Sequence, residues 1–221
     1  MYEDAVYILN KLKENNFDAY IVGGYPRDKY LGIESNDFDI CTSAKPEETA
    51  KIFKTTDLSH KKFGRVDIYL KSNIYQVTTF RKDICYDEKR MPTICYVSNL
   101  LDDLKRRDFI INTLAIDSNG NYVDLLGAIE DLDNKVIKTV KNSHESIIED
   151  PLRILRAIRF SIKLSFDINE DLSNQMSKHA KLVNNISSNK VREEINKIIA
   201  IDDKMASDML QKYNLSETLD L

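Results

Sequence analysis

Residues 21–40 read Ile-Val-Gly-Gly-Tyr-Pro-Arg-Asp-Lys-Tyr-Leu-Gly-Ile-Glu-Ser-Asn-Asp-Phe-Asp-Ile. A hydrophobic strand runs into two adjacent glycines, Gly23 and Gly24. A short helix carrying Arg27 and Asp28 follows, and Asp37 and Asp39 then stand two apart on a second strand. Strand residues i and i+2 share a face, so this spacing sets the two carboxylates side by side. Such a pair is a ready site for Mg²⁺, which takes oxygen ligands and keeps positions for water and substrate phosphates. Paired glycines let a backbone approach a phosphate closely and offer it N–H donors. A metal site beside a phosphate cradle points to phosphoryl or nucleotidyl transfer.

The chain has 221 residues, room for one large domain or two small ones. Apolar residues make up 42% and charged residues 31%, a soluble globular composition. The start, Met1-Tyr-Glu-Asp-Ala, has no basic stretch leading into an apolar run, so no signal peptide is expected. No apolar run approaches the roughly 20 residues that span a bilayer, so no membrane association is expected either. Cys41, Cys85 and Cys95 are odd in number and widely spaced, which suggests neither a disulfide framework nor a zinc site. A reducing, cytoplasmic setting follows. The net charge of −4 argues against indiscriminate nucleic-acid binding. The charge is graded, however: residues 151–200 hold nine Lys/Arg against five Asp/Glu, and residues 105–107 are Lys-Arg-Arg. An acidic protein can still bind a polyanion through a clustered basic face.

Hydrophobic periodicity predicts a helix over 3–14 and strands over 18–22 and 38–42. Pro26 suits the first turn of a short helix and Gly32 its C-terminal turn. A helix is expected over 45–54 and a hairpin over 65–70 and 74–81 around Lys71-Ser-Asn. Residues 82–92 read as a mobile charged loop, with a returning strand at 93–97. Beyond residue 100 come helices over 101–112 and 143–164, separated by short strands at 114–117 and 122–125. Helices over 168–184, 188–200 and 202–213 complete the chain. The fold class is therefore α+β: a head with a small mixed sheet over 1–140 and an all-helical part over 141–221.

Three further segments carry chemistry. Tyr75-Gln76-Val77-Thr78-Thr79-Phe80-Arg81 follows Phe63-Gly64-Arg65-Val66; Lys105-Arg106-Arg107-Asp108-Phe109-Ile110-Ile111-Asn112 opens the later half; and Glu149-Asp150-Pro151-Leu152-Arg153-Ile154-Leu155-Arg156-Ala157-Ile158-Arg159 lies beyond it. Asp150, Arg153, Arg156 and Arg159 recur every three residues, which would place them on one helix face opposite Leu152, Leu155 and Ile158. Taken singly, a Gly-Gly turn, an Asp-x-Asp and a charged helix face are each commonplace. Their order along one chain is not.

That series resembles the class II tRNA nucleotidyltransferases of the polymerase-β superfamily, the CCA-adding enzymes and bacterial poly(A) polymerases. The resemblance covers about residues 5–200. It implies a polymerase-β-like nucleotidyltransferase head followed by a helical neck. It implies Asp37 and Asp39 as catalytic ligands of Mg²⁺, and Gly23, Gly24, Arg27, Arg107, Asp108, Asp150, Arg153, Arg156 and Arg159 as the nucleotide site. Arg107 would touch the triphosphate, and Asp108 would accept a hydrogen bond from the ribose 2′-OH. Asp150 and Arg153 would form a protein template: Asp150 accepts from the exocyclic amino group of C or A, and Arg153 donates to C N3 and O2 or to A N1. Arg156 and Arg159 would then face the phosphates. Ile186-Ser-Ser-Asn-Lys-Val-Arg-Glu-Glu194 resembles a supporting helix of the family. The implied activity is addition of CMP and AMP from CTP and ATP to a tRNA 3′ end. Poly(A) addition, CC- or A-only addition and a non-catalytic RNA-binding relative are the alternatives. The full-length stretch 82–104 weighs against CC-only addition.

Two departures matter. Gln76 stands where the family has a Glu, a third carboxylate near the metals; Asp67 on the partner strand is the candidate replacement. The family also continues past 221 residues into body and tail helices. A catalytic fragment, a split enzyme with a partner subunit and a compact form are the three arrangements that answer this, each with weak tRNA affinity.

Overall fold

The computed structural model describes residues 1–86, 92–97 and 99–218. The chain forms two compact units: Met1–Arg107 with Ile111–Ile129, and Asp108–Ile110 with Glu130–Leu221. The division thus falls near residue 130, and three residues of the Arg-Arg-Asp-Phe segment belong with the second unit.

The first unit contains α1 (Tyr2–Glu14), β1 (Ala19–Val22), α2 (Gly24–Tyr30), β2 (Asp39–Thr42), α3 (Pro46–Ile52), β3 (Thr56–Asp57), β4 (Arg65–Leu70), β5 (Asn73–Thr79), β6 (Arg81–Tyr86), β7 (Pro92–Tyr96), α4 (Leu100–Leu104), β8 (Ala115–Ile116) and β9 (Tyr122–Val123). Its seven-stranded sheet runs β3-β4-β5-β2-β1-β8-β9. Only β2 and β5 pair in parallel; the other neighbours are antiparallel.

Alternation along the strands splits the sheet into two faces. Ile21, Ile40, Val66, Ile68, Tyr75 and Val77 point to one side, where Ala5, Ile8, Leu9 and Leu12 of α1 cover them. These four sit at helical spacing, so burying them is what holds α1 to the sheet. Val22, Cys41, Phe80, Leu100 and Leu104 pack on the other side. The hairpin turn puts Lys71 in a left-handed conformation (φ 54). Its ammonium lies 2.5 Å from Asp4, which also accepts from the Tyr75 hydroxyl at 3.1 Å. Burial, then that hydrogen bond, pushes the Tyr75 phenol up to about 12.

Residues 82–92 do not form a loop throughout. β6 and β7 pair as an antiparallel ribbon separate from the main sheet. Residues 87–91, the centre of the expected loop, lie outside the described residues. The helix expected over 101–112 is only α4, followed by a 3₁₀ turn at Ile110–Asn112.

α5 (Ala128–Asp133) leads into the second unit, which holds β10 (Val136–Ile137), α6 (Ser143–Glu149), α7 (Leu152–Leu164), β11 (Asp167–Ile168), α8 (Glu170–His179), α9 (Ser188–Ile199), α10 (Asp203–Lys212) and α11 (Leu215–Thr218). It is not wholly helical: β10 and β11 pair in parallel, and Phe109 bridges Thr139. The helix expected over 168–184 ends at His179 and continues as a 3₁₀ segment over Ala180–Asn185. The helix expected over 143–164 is broken at Asp150-Pro151. Proline has no N–H to donate and forces the residue before it out of helical geometry. Asp150 accordingly adopts φ −147, ψ 92. Among the described residues, no helix is long and apolar enough to cross a membrane.

Candidate active site

Strand register assembles the acid cluster. Val22 lies opposite Asp39, Asp39 beside Gln76, and Gln76 opposite Asp67. Directly paired residues share a face, so Asp39, Gln76 and Asp67 form one row across β2, β5 and β4. Phe38 is buried, its ring 4.3 Å from that of Tyr25. The second strand begins only at Asp39, so Asp37 precedes it instead of sharing the strand as expected. Asp37 is exposed and Asp39 half-buried.

Gly23 sets the floor of this cluster. Its φ of 80 and ψ of −130 belong to backbone that side chains avoid. A Cβ there would stand 3.0 Å from Asp39 Oδ2 and 3.8 Å from Arg107 Nη1. Gly23, Asp39 and Arg107 are thus neighbours although they span more than 80 residues of sequence. Gly24 is different: it opens α2, and its Cβ would meet Arg27 Nη2 at an ordinary 3.5 Å. Gly23→Ala should therefore cost about 1–3 kcal/mol through backbone strain and displace the Asp39 carboxylate. Gly24→Ala should stay near wild type. Thermal melts and turnover of the two variants, compared side by side, test this; equal behaviour would remove the special role of Gly23.

Burial first, and then the neighbouring Asp37, pushes the Asp39 carboxyl above the usual carboxylate range, while Arg107 and Arg65 pull it back. No hydrogen bond or ion pair ties Asp37 or Asp39 to another described residue. The buried acids among the described residues, by contrast, stand in ion pairs: Asp4 with Lys71, Asp28 with Arg27, Asp67 with Arg65, Asp103 with Arg106 and Arg107, Asp108 with Arg156, Asp131 with Lys138 and Glu194 with Arg159. Two neighbouring carboxylates, neither of them in a hydrogen bond or ion pair, suit a divalent ion. Among the described residues no group of three or more His, Cys, Asp or Glu is gathered for one. Mg²⁺ is commonly held by one or two carboxylates plus substrate phosphates, so the pair fits that ion.

The register does place Asp67 against Gln76, as a replacement carboxylate requires. Its two oxygens, however, take Arg65 Nε and Nη2 at 2.6 and 2.8 Å. Asp67 therefore arrives already neutralised. Gln76 itself is exposed and supplies a neutral amide.

Arg27 is not on the surface of the site. It is 3% exposed; its Nε and Nη2 donate to Asp28 Oδ1 at 2.7 and 2.5 Å, and its Nη1 donates to Asn112 Oδ1 at 2.5 Å. These contacts anchor α2, and with it the glycine turn, to Asn112. Arg107 does stand at the cluster. Its Nη2 donates to Asp103 Oδ2 at 3.3 Å. Asp103 is fully buried and also accepts from Arg106 Nε and the Arg81 backbone N–H.

In the second unit, Asp108 is buried beside Val140, whose N–H donates to the Asp108 carbonyl at 3.2 Å. Its Oδ1 accepts from the Phe109 backbone at 2.8 Å and its Oδ2 lies 2.6 Å from Arg156 Nη2. Asp108, then Glu194 and Asp150, raise the Arg156 pKa against the opposing effect of burial. Arg159 donates to Glu194 and stacks 4.3 Å over the Phe160 ring. Arg153 is 5% exposed; its Nη1 donates to the Ser146 hydroxyl at 2.6 Å and its carbonyl at 3.3 Å. The expected single ridge is therefore corrected in two ways. Asp150 lies in the link between α6 and α7, its Oδ1 accepting from Leu152 N–H at 3.2 Å, and not on the arginine helix. Arg153, Arg156 and Arg159 each already hold an oxygen partner instead of forming a bare cationic stripe.

Residues 19–138 match the family described as "Poly A polymerase head domain", and residues 165–219 match "Probable RNA and SrmB- binding site of polymerase A". The segment 150–159 lies between the two spans. The CCA-adding enzyme of Streptococcus gordonii is 39% identical over 199 residues, which are 90% of this chain and 50% of that protein. The CCA-adding enzyme of Geobacillus kaustophilus is 39% identical over 201 residues, again 90% and 50%. The chain thus spans about half the length of the curated relatives it matches. Among solved structures, the Bacillus stearothermophilus CCA-adding enzyme in complex with CTP has a TM-score of 0.91 at 34% identity, covering 99% of this chain and 53% of that one. The Thermotoga maritima CCA-adding enzyme complexed with tRNA has a TM-score of 0.83 at 25% identity, covering 98% and 52%. The first family match takes in more than half of the chain, including the glycine turn and the whole acid row, and by it the chain belongs to the polymerase A head-domain family of nucleotidyltransferases, to which the CCA-adding enzymes are akin.

Proposed function

We propose that this chain is the catalytic part of a template-independent RNA nucleotidyltransferase that adds CMP and AMP from CTP and ATP to a tRNA 3′ end. The observation that carries the reading is the Asp37–Asp39 pair, held in no hydrogen bond or ion pair, with Asp39 beside Gly23 and Arg107. The 3′-hydroxyl oxygen attacks the α-phosphorus, the bond to the bridging oxygen breaks, and pyrophosphate leaves. Two Mg²⁺ ions on the acid pair would lower the hydroxyl pKa and neutralise charge on the leaving group. Arg107, braced by Asp103, donates to the triphosphate. Asp108 accepts from the ribose 2′-OH, the donor that separates ribo- from deoxyribonucleotides. The remaining work is positioning, which is most of what in-line phosphoryl transfer asks of a protein.

Asp150 and Arg153 read the base. Both sit where α6 meets α7, and the Ser146 contacts hold Arg153 in one rotamer. Arg156 and Arg159 reach the phosphates only by sharing or exchanging Asp108 and Glu194. Asp150→Ala should cut the preference for CTP and ATP over UTP and GTP by about tenfold to a hundredfold, the effect of leaving a polar group of the incoming base unmatched. Competition assays with all four nucleotides measure it; an unchanged preference would take Asp150 out of the role.

The family match to poly(A) polymerases keeps one second reading, extension with AMP alone. Incubation with tRNA ending at the discriminator base, Mg²⁺ and each labelled nucleotide separates them by product length. Addition of two C and one A supports the proposal; a ladder of A alone supports the second reading; no extension with any nucleotide overturns both.

A further inference from the structure

The three histidines are scattered in the sequence, yet two of them meet. His144 opens α6 and His179 closes α8, 35 residues later. Their rings lie 5.0 Å apart, and His144 Nδ1 faces His179 Nε2 at 3.1 Å. His144 is exposed and His179 half-exposed. We propose that this pair is a surface site for a d-block dication of the zinc, nickel or copper type, separate from the carboxylate pair and independent of the proposed function.

Geometry, ligand chemistry and exposure support it. Metal–imidazole bonds run about 2.0–2.1 Å, and two such bonds to nitrogens 3.1 Å apart subtend about 95–100°, between cis-octahedral and tetrahedral. In this hydrogen bond one of the two nitrogens carries the proton; once that proton is displaced to the same ring's other nitrogen or to solvent, rotation about χ2, a soft torsion, turns both lone pairs onto one ion. Imidazole nitrogen favours zinc, copper and nickel, whereas carboxylate and water favour Mg²⁺, so the two sites select different ions. The exposed side of the pair leaves room for water to complete the coordination shell. Burial, then His144 and Lys178, hold the His179 pKa down, which favours the neutral ligand form. A cation there staples the start of α6 to the end of α8. α6 is also the helix whose Ser146 holds Arg153.

The test is titration of the full chain with ZnCl₂ or NiCl₂ alone, in millimolar Mg²⁺ to occupy the carboxylates, followed by calorimetry and by ¹⁵N NMR of the imidazole rings. The expected result is one saturable equivalent that shifts His144 Nδ1 and His179 Nε2. His144→Gln and His179→Gln should each weaken it at least tenfold, with metal-free melting near wild type. A rise in melting temperature on adding metal should vanish in both variants. Binding of equal strength in wild type and variants, or no binding in wild type, would overturn the site and leave an imidazole–imidazole hydrogen bond. Because the readout uses no nucleotide, loss of RNA extension would not touch it.

Discussion

Asp39→Asn should lower nucleotide incorporation by about three orders of magnitude or more, since metal-centred charge stabilisation is worth several kcal/mol in such a transition state. The same change should leave the protein folded and no less stable. Its folded pKa lies above the unfolded value, because burial and Asp37 oppose ionisation. A carboxyl so shifted favours the native state below its unfolded pKa and loses that contribution as pH rises through the folded value. At neutral pH the ionised Asp39 therefore works against folding, and the amide relieves it. Parallel melts and single-turnover assays check both halves, and retained turnover would reject the metal role. For wild type, incorporation should fall on acidification at a pH above the ordinary carboxylate range, because the metal must compete with a proton for Asp39. That fall should shift to lower pH as Mg²⁺ is raised. A profile insensitive to Mg²⁺ would assign the titration elsewhere.

The second large effect is structural. Arg27→Met should destabilise the first unit by about 3–5 kcal/mol, because Asp28, 4% exposed, would keep a buried charge without its cation. Asn112 would lose a donor at the same time. Adding Asp28→Leu should recover much of the loss, since removing a whole buried pair is often near neutral where removing one partner is not. Denaturant midpoints of the single and double variants measure the coupling. Equal midpoints for wild type and Arg27→Met would reject this structural role for Arg27. The two experiments are complementary: the first separates an expected catalytic role of Asp39 from its effect on stability, and the second measures what the buried Arg27 contributes to the fold around Gly23.

Much of the first unit was legible because its signals are local. The buried Phe38 between two acids was legible as an apolar position, although the strand itself begins one residue later, at Asp39. The apolar positions of 3–14 specify a one-faced helix. The break at Asp150-Pro151 was legible too, since the constraint of proline on its predecessor is a nearest-neighbour effect; an uninterrupted arginine period obscured it. The returning strand expected at 93–97 is β7, but its partner β6 was hidden for the opposite reason. It stands apart from the main sheet, so its pairing rests on backbone hydrogen bonds that leave no mark on a charged sequence.

What the amino-acid order settled by itself is the local geometry: a glycine turn where only glycine is at ease, two carboxylates flanking a buried phenylalanine, and helices with one apolar stripe. What only the tertiary structure decided is partnership. The parallel pairing of β2 with β5 sets Gln76 beside Asp39, and Asn112, 85 residues away, turns Arg27 inward. Asp108 claims Arg156, and His144 finds His179. A charged or polar side chain carries no record of its partner in its own neighbourhood of sequence. Which ions meet depends on how strands and helices are brought together, and the burial of apolar faces governs that packing.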